Sequence, residues 1–335
     1  MRALVTGGAG FIGSNLVKAL VSSGNIVDVV DDMSAGSVEN FSELDFRTML
    51  TPLMPYWEQS GCPRPSSGLM VFEGDMEDEN IVNRIISGQY DVIFHLAANP
   101  RVSFTVEHPA LTTDTNVVKS LVLLEAVQKC KTPVRFIFSS TCALYGDTKQ
   151  IPTTEDAAPN PNSPYGLQKL FIEDYIRIAS KLHGTDAVSL RYFNVYGPGQ
   201  QGGSAYATAI TAWCHAVKNG LPLRSDGDGE QTRDMVYVGD VVRANILAAL
   251  RPAPFQGESI NVGTGKKFSN NFILNLFRKE FGNIEGFSIV QAPARLGDVR
   301  DTQADISYSF DSIGYQPAVS FEQGLKYTWK WWGIR

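Results

Sequence analysis

The chain has 335 residues, 43% hydrophobic and 19% charged, the composition of an ordinary globular protein able to bury a large core. Its formal net charge of −6 argues against non-specific nucleic-acid binding, which needs clustered Lys and Arg, while a few cations in one pocket would still hold an anionic ligand. The four cysteines, Cys62, Cys130, Cys142 and Cys214, make no Cys-x-x-Cys pair and join no histidine cluster, so no metal site is expected and free thiols in a reducing compartment are.

The first apolar run is a strand, Arg2–Thr6, that meets glycines at once and does not read as a secretory leader. No apolar run reaches the roughly 18–20 residues a membrane span needs, and a cytoplasmic protein is expected. The strand leads into Thr6-Gly7-Gly8-Ala9-Gly10-Phe11-Ile12-Gly13, followed by a helical pattern over Ile12–Ser22 and a second strand, Ile26–Asp31, with Asp32 beside its end. Glycines in this place allow a tight turn and let backbone N–H groups reach a pyrophosphate at the helix N-terminus. A carboxylate ending the next strand can accept both adenosine-ribose hydroxyls and repels a 2′-phosphate. An NAD site on Gly7, Gly10, Phe11, Ile12, Gly13, Asp31 and Asp32 follows; a structural glycine turn is the bland alternative.

From Asn40 to Ser67 the chain carries Pro52, Pro55, Pro63 and Pro65, a density that breaks regular structure. Loops this long are uncommon in compact domains. Its apolar residues Leu50, Leu53, Met54, Tyr56 and Trp57 imply either a short helix docked on the body or contact with a partner subunit. Further strands are read at Leu69–Glu73, Val92–Leu96, Arg135–Ser139 and Ala187–Phe193, alternating with helices at Ile81–Ser87, Asp114–Lys129 and Pro164–His183. Continuous apolar strands alternating with helices imply a parallel sheet covered on both faces. Within Pro164–His183, Tyr165 and Lys169 stand one turn apart on one face. A nearby ammonium favours phenolate, so this pair is a candidate general base and acid. After residue 192 the alternation is lost. The expected architecture is α/β: a doubly wound parallel sheet over residues 1–192, to which the chain returns around 230–250, and a smaller mixed α/β substrate lobe over 193–335. Trp329, Trp331 and Trp332 follow a helical pattern that packs back on the body.

These motifs, in this order over nearly the whole chain, resemble the extended short-chain dehydrogenase/reductase family and, within it, the NAD-dependent nucleotide-sugar epimerases; Gly7-x-x-Gly10-x-x-Gly13 is that family's glycine spacing. The resemblance implies that Asp75, followed by Met76, meets the adenine amino group, that Leu96, Ala97 and Ala98 wall the adenosine, and that Asn116 steadies active-site water and backbone. It makes Thr141, in Ser139-Ser140-Thr141, the hydroxyl on the reacting sugar oxygen, with Ser140 as fallback, beside Tyr165 and Lys169. Dehydratases of the family carry Thr-Asp-Glu where Thr141-Cys142-Ala143 stands, so the elimination pair is missing. In Arg191-Tyr192-Phe193-Asn194 the resemblance assigns Tyr192 to the cofactor and Asn194 to the substrate diphosphate. Arg233 and Arg295 would grip phosphates and Asp298 the ribose hydroxyls, while Trp213 borders the base or is a core residue. Thr302, four residues after Asp298, is small where a bulky aromatic would exclude an N-acetyl group at the sugar's C2.

The implied activity is 4-epimerisation of a UDP-hexose through a transient 4-keto sugar, with UDP-GlcNAc and UDP-GalNAc favoured and UDP-glucose and UDP-galactose also admitted. The implied partners are the UDP-sugar and a second copy of the chain, docked through Asp114–Lys129 and Pro164–His183. The same Tyr, Lys and NAD would also serve a UDP-glucuronate epimerase or decarboxylase, or a GDP- or dTDP-sugar enzyme. A non-catalytic NAD-binding sensor is a further alternative, against which Thr141, Tyr165 and Lys169 argue.

Overall fold

A computed structural model of the chain describes residues 1–61, 63–202, 208–293 and 299–335. In chain order its strands are β1 (Arg2–Thr6), β2 (Ile26–Asp31), β3 (Phe46–Leu50), β4 (Leu69–Glu73), β5 (Val92–His95), β6 (Arg135–Thr141), β7 (Ala187–Tyr192), β8 (Asn194–Tyr196), β9 (Leu223–Asp226), β10 (Thr232–Arg233), β11 (Met235–Tyr237), β12 (Ser259–Val262), β13 (Phe268–Ser269) and β14 (Ile289–Ala292). Eight of them form one sheet in the order β12-β7-β6-β5-β1-β2-β4-β3. Every pairing in it is parallel. Strands such as β4, with Leu69, Met70, Val71 and Phe72 all buried, are apolar throughout because helices cover both faces.

On one face the helices Phe11–Ser22 and Val238–Leu250 pack Leu16, Val17, Val241 and Ala244 onto the sheet. On the other, Glu79–Ile86, Lys119–Gln128 and Pro164–His183 contribute Ile81, Ile85, Leu123, Ile172 and Ile176. A third cluster, with Tyr196, Trp213, Phe277, Phe321, Trp329 and Trp332, builds a lobe outside the sheet. The C-terminal helix Phe321–Trp332 therefore docks as its pattern implies, although Trp331 stays largely exposed. No described helix is long and apolar enough to cross a membrane.

Two strands of the sheet were not legible in advance. β12 is a four-residue run joining the sheet from far along the chain. β3 comes from the proline-rich excursion and forms the outer edge, parallel to β4. The rest of that excursion includes a short helix, Met54–Ser60, with proline in its first turn. It docks on the chain's own body. The Trp57 ring meets Phe72 edge-on at 6.4 Å, and buried Asp28 takes Arg84 Nη2 at 2.8 Å, the Tyr90 hydroxyl at 2.9 Å and Arg64 at 2.7 Å. Boundaries differ slightly too: β6 runs two residues further, to Thr141, and the helix read from Asp114 opens with a π-turn over Asp114–Val118.

Candidate active site

The cofactor cradle lies at the C-terminal ends of β1, β2 and β5, where ligands of open parallel sheets bind. Gly7 has φ +66°, and a Cβ there would lie 2.7 Å from the Ala97 backbone; a Cβ on Gly13 would lie 2.2 Å from the Gly7 carbonyl. Only glycine lets the turn, the wall and the helix close this tightly. The helix Phe11–Ser22 opens with no side-chain cap and no acidic residue in its first turn, leaving its leading N–H groups to an anion. Buried Asp31 accepts the N–H groups of Ala9 and Met33, both at 2.9 Å, one on each oxygen. Each oxygen keeps a lone pair for a ribose hydroxyl. Burial pushes this carboxyl upward, opposed by those two N–H groups. Asp32 shapes the following loop, taking the Ser34 N–H at 2.9 Å and its hydroxyl at 2.6 Å. These residues fit NAD: an anion cradle for the diphosphate and a carboxylate for the ribose diol.

Leu96 and Ala97 are pinned by N–H bonds to the Thr6 carbonyl, 3.1 Å, and the Thr6 hydroxyl, 3.2 Å. Behind them buried His95 bridges Thr6 (2.7 Å) and Ser120 (2.8 Å), and burial drives it down to about 3, so it is neutral. Asp75 is half-exposed at the same end and ion-paired with Lys119. Met76 departs from expectation: its side chain belongs to the apolar core, because a thioether gains more from burial than from facing a polar nucleotide, and only its backbone is left for a cofactor.

Tyr165 and Thr141 come together, Tyr165 on the first turn of Pro164–His183 and Thr141 at the end of β6, with the Thr141 hydroxyl close enough to lower the phenol. Ser163 caps that helix through the Gly166 N–H at 3.2 Å, setting its first turn. Thr141 also accepts the Ala143 N–H at 3.2 Å. Lys169 is buried, donates to the Ser139 carbonyl at 2.8 Å, and lies 4.5 Å over the Phe138 ring and 6.0 Å from the Tyr165 ring centre. Desolvation lowers its ammonium to about 7, opposed by Glu173. The protein's own groups do not lower the phenol as the sequence implied. Burial raises Tyr165 well above its usual range, and the neighbouring Thr141 hydroxyl only partly offsets this. Cys142, next to Thr141, is held up to about 12 by burial and remains a thiol.

Ser140 is not available to a substrate. Its buried hydroxyl donates to Glu173, on the opposite side of the strand from Thr141, since neighbouring strand residues face opposite ways. Tyr192 stands near Tyr165, but its own hydroxyl bonds Ser139 at 3.1 Å and Asn245, so it offers a cofactor its ring and no free donor. Trp213 is a core residue: it is buried, stacks edge-on with Phe277 and donates to the Arg224 carbonyl at 2.7 Å. Asn194 donates to Thr302 Oγ1 at 3.0 Å and to the Asp234 carbonyl at 3.2 Å, which brings two expected substrate residues together. Arg233 lies close enough to Cys142 to lower its thiol and is anchored on the Thr232 carbonyl at 2.9 Å. Arg295 and Asp298 lie outside the described residues.

Besides Asn116, four residues to which the motifs gave no role, Gln168, Asp234, Glu173 and Arg191, carry structure in this neighbourhood. Asn116, in the π-turn, clamps Asn99 from both sides (2.6 and 3.1 Å) and donates to Gln168 at 2.8 Å, while Gln168 reaches Thr112 and Thr113 at 3.1 Å. Asp234 is fully buried and accepts Thr264 N–H and hydroxyl, Gly265 N–H and Ala304 N–H, between 2.6 and 3.0 Å; desolvation pushes it up to about 6. Glu173 and Arg191 form a buried pair at 2.7 Å. Glu173 was accessible to helical periodicity, lying two turns after Tyr165 on one face. Asp234 was not, because its partners come from two distant segments, Thr264–Gly265 and Ala304.

A sequence model of the NAD-dependent epimerase/dehydratase family matches residues 3–263. The chain is 33% identical over 329 residues, 98% of its length and 97% of the relative's, to a putative UDP-glucose 4-epimerase of Methanocaldococcus jannaschii. Its structure superposes with a TM-score of 0.85 on a UDP-glucose 4-epimerase from Thermotoga maritima crystallised with UDP-glucose, at 37% identity and 99% coverage of both chains. With the same TM-score it superposes on a UDP-N-acetylglucosamine 4-epimerase from Methanobrevibacter ruminantium in complex with UDP-N-acetylmuramic acid, at 33% identity, covering 98% of this chain and 97% of that one.

Proposed function

The chain belongs to the NAD-dependent epimerase/dehydratase family, and from that premise we propose that it interconverts a UDP-hexose and its 4-epimer, with UDP-GlcNAc and UDP-GalNAc the favoured pair and UDP-glucose and UDP-galactose also accepted. The observation that carries this reading is the Tyr165 phenol set beside the Thr141 hydroxyl, with buried Lys169 one turn along the same helix. As phenolate, favoured by the Lys169 ammonium and by the positive charge a bound NAD would bring, Tyr165 can take one proton from the sugar 4-hydroxyl and return it to the same oxygen. Elimination of water would need a further acid and base, and the adjacent Cys142, kept as a thiol, and Ala143 supply neither.

NAD, when bound, supplies the acceptor and donor of the hydride at the sugar C4. Tyr165 Oη removes the 4-hydroxyl proton and later restores it, while Thr141 Oγ orients the reacting oxygen. Lys169 contributes positive charge beneath them. Arg233, with Arg295, holds the diphosphate by charge-assisted hydrogen bonds, and Asn194 adds a neutral donor. Asp298 takes the uridine ribose. Anchoring the diphosphate lets the 4-keto sugar turn its other face to the cofactor without leaving. The preference for N-acetylated sugars is supported by Thr302, whose hydroxyl is engaged by Asn194 and the Asp234 N–H (3.0 and 3.2 Å) and which puts only a methyl group where an aromatic ring would crowd the sugar's C2.

We assign cofactor binding to residues 1–192 with the returning helix Val238–Leu250 and β12, and sugar-nucleotide binding to the remaining lobe with its own core. The protein is proposed to act as a homodimer in the cytoplasm. Dimerisation is supported by Leu167, Phe171, Tyr175, Ile178 and Leu182, an exposed apolar stripe along Pro164–His183. The deciding experiment is product analysis of purified protein incubated with UDP-GlcNAc and no added NAD. UDP-GalNAc should appear; activity on UDP-glucuronate alone would replace this substrate assignment.

A further inference from the structure

Three successive turns of the helix Pro164–His183 bring Tyr165, Lys169 and Glu173 to one face. Each meets a different residue at the end of β6. Tyr165 lies beside the Thr141 hydroxyl, Lys169 donates to the Ser139 carbonyl at 2.8 Å, and Glu173 accepts the Ser140 hydroxyl. Glu173 is itself gripped from behind. Arg191 of β7 binds both its oxygens, Nε at 3.1 and 3.0 Å and Nη2 at 2.7 Å, and Ser259 of β12 donates to it at 2.8 Å. Arg191 continues to the Tyr145 hydroxyl at 2.7 Å and the Glu155 carbonyl at 2.8 Å. A buried ion pair is often no more stabilising than apolar residues of the same volume, so stability alone does not account for a charge here.

We propose that Glu173 is a positioning residue of the active site: through Ser140 it sets the register of the helix carrying Tyr165 and Lys169 against the strand end carrying Thr141, and it sets a negative charge one turn from Lys169. The proposal rests on the reading of Tyr165, Thr141 and Lys169 as the reacting constellation. Its geometric half follows from the ties themselves. The helix that carries the phenol and the strand that carries the hydroxyl are joined by side-chain hydrogen bonds at the adjacent residues Ser139 and Ser140, and the Ser140 partner, Glu173, is the one braced by β7 and β12.

Its electrostatic half follows from what surrounds Lys169. The titratable groups about it are Tyr165 and Glu173 on its own helix, His95 on β5, and Cys142 and Tyr192 around Tyr165. His95, Cys142, Tyr165 and Tyr192 are all held neutral by burial. Glu173 is thus the carboxylate facing Lys169 among the described residues, and it opposes the desolvation that drives the ammonium down.

The test reads Lys169 directly in the purified holoenzyme. Lysine is labelled with carbon-13 at Cε, and the Lys169 signal is identified as the one missing from Lys169→Met. Glu173→Gln keeps the shape and removes the charge. It should lower the Lys169 titration midpoint by about one pH unit or more and move the alkaline limb of kcat down with it, leaving KM unchanged. A folded Glu173→Gln whose Lys169 midpoint matches wild type overturns the proposal. Should that variant not fold, Ser140→Ala decides: it keeps the ion pair and removes the tie, so kcat should fall about tenfold at unchanged KM and unchanged Lys169 midpoint, and an undiminished kcat overturns the proposal. The Lys169 midpoint is read without substrate, so a wild-type protein inactive on every UDP-hexose would sink the epimerase reading without touching this one.

Discussion

Tyr165 meets Thr141 at the mouth of the site while burial holds its phenol above the usual range, so proton transfer depends on charges brought close to it. Tyr165→Phe removes the proton carrier and nothing that holds the nucleotide. Turnover should drop by about 10³-fold or more with NAD still released on acid denaturation. Near-normal turnover would reject the role. Thr302 is a volume argument. Thr302→Tyr should abolish epimerisation of UDP-GlcNAc while retaining UDP-glucose activity, and equal loss on both in parallel assays would reject the gate. His95 is a linkage argument. The fold holds it near 3 against 6.5 when exposed, so between those values the unfolded chain binds the extra proton. Its contribution to stability is complete above pH 6.5 and is lost as pH falls toward 3. His95→Gln, which can still bridge Thr6 and Ser120, should make the urea midpoint fall less steeply with acidification.

The glycine turn is one element with a single tolerance. The Gly7 carbonyl, the Gly13 Cα and the Ala97 backbone close on each other so tightly that a methyl on Gly13 would sit 2.2 Å from the Gly7 oxygen. Gly13→Ala should therefore open the turn, and the purified variant should yield little or no nucleotide on chromatography of its acid extract. Retained stoichiometric NAD would show that the cradle can relax. The π-turn at Asp114–Val118 and the proline-rich excursion make a different point. The period of apolar residues finds the helix after Asp114 but not its widened first turn, which the Asn116–Asn99 clamp accompanies. In the excursion the prolines argue against regular structure, yet β3 forms just ahead of them because β4 offers an unpaired edge five residues long.

Across the whole molecule, the exposed stripe Leu167, Phe171, Tyr175, Ile178 and Leu182 repeats every three or four residues on the helix that also carries Tyr165 and Lys169 on its buried face. Phe171→Glu should convert a dimer to a monomer in sedimentation equilibrium, and a dimer surviving it would move the interface elsewhere. The alternation of apolar strands with helices, the glycine turn ended by Asp31, and the Tyr165–Lys169 spacing were legible in the sequence because each is a local rule: a period, a turn geometry, a one-turn offset. They sufficed for the doubly wound sheet and for NAD, and they suggested the proton-transfer pair proposed above. What the tertiary structure alone decided depends on groups far apart in the chain. Ser140 turns to Glu173, Trp213 and Met76 go to the core, β12 and β3 extend the sheet, and Asp234 gathers donors from residues 264, 265 and 304. Whether a polar side chain serves a ligand or the scaffold is set by which partners the fold brings within hydrogen-bonding distance, and motif spacing holds no information about those partners.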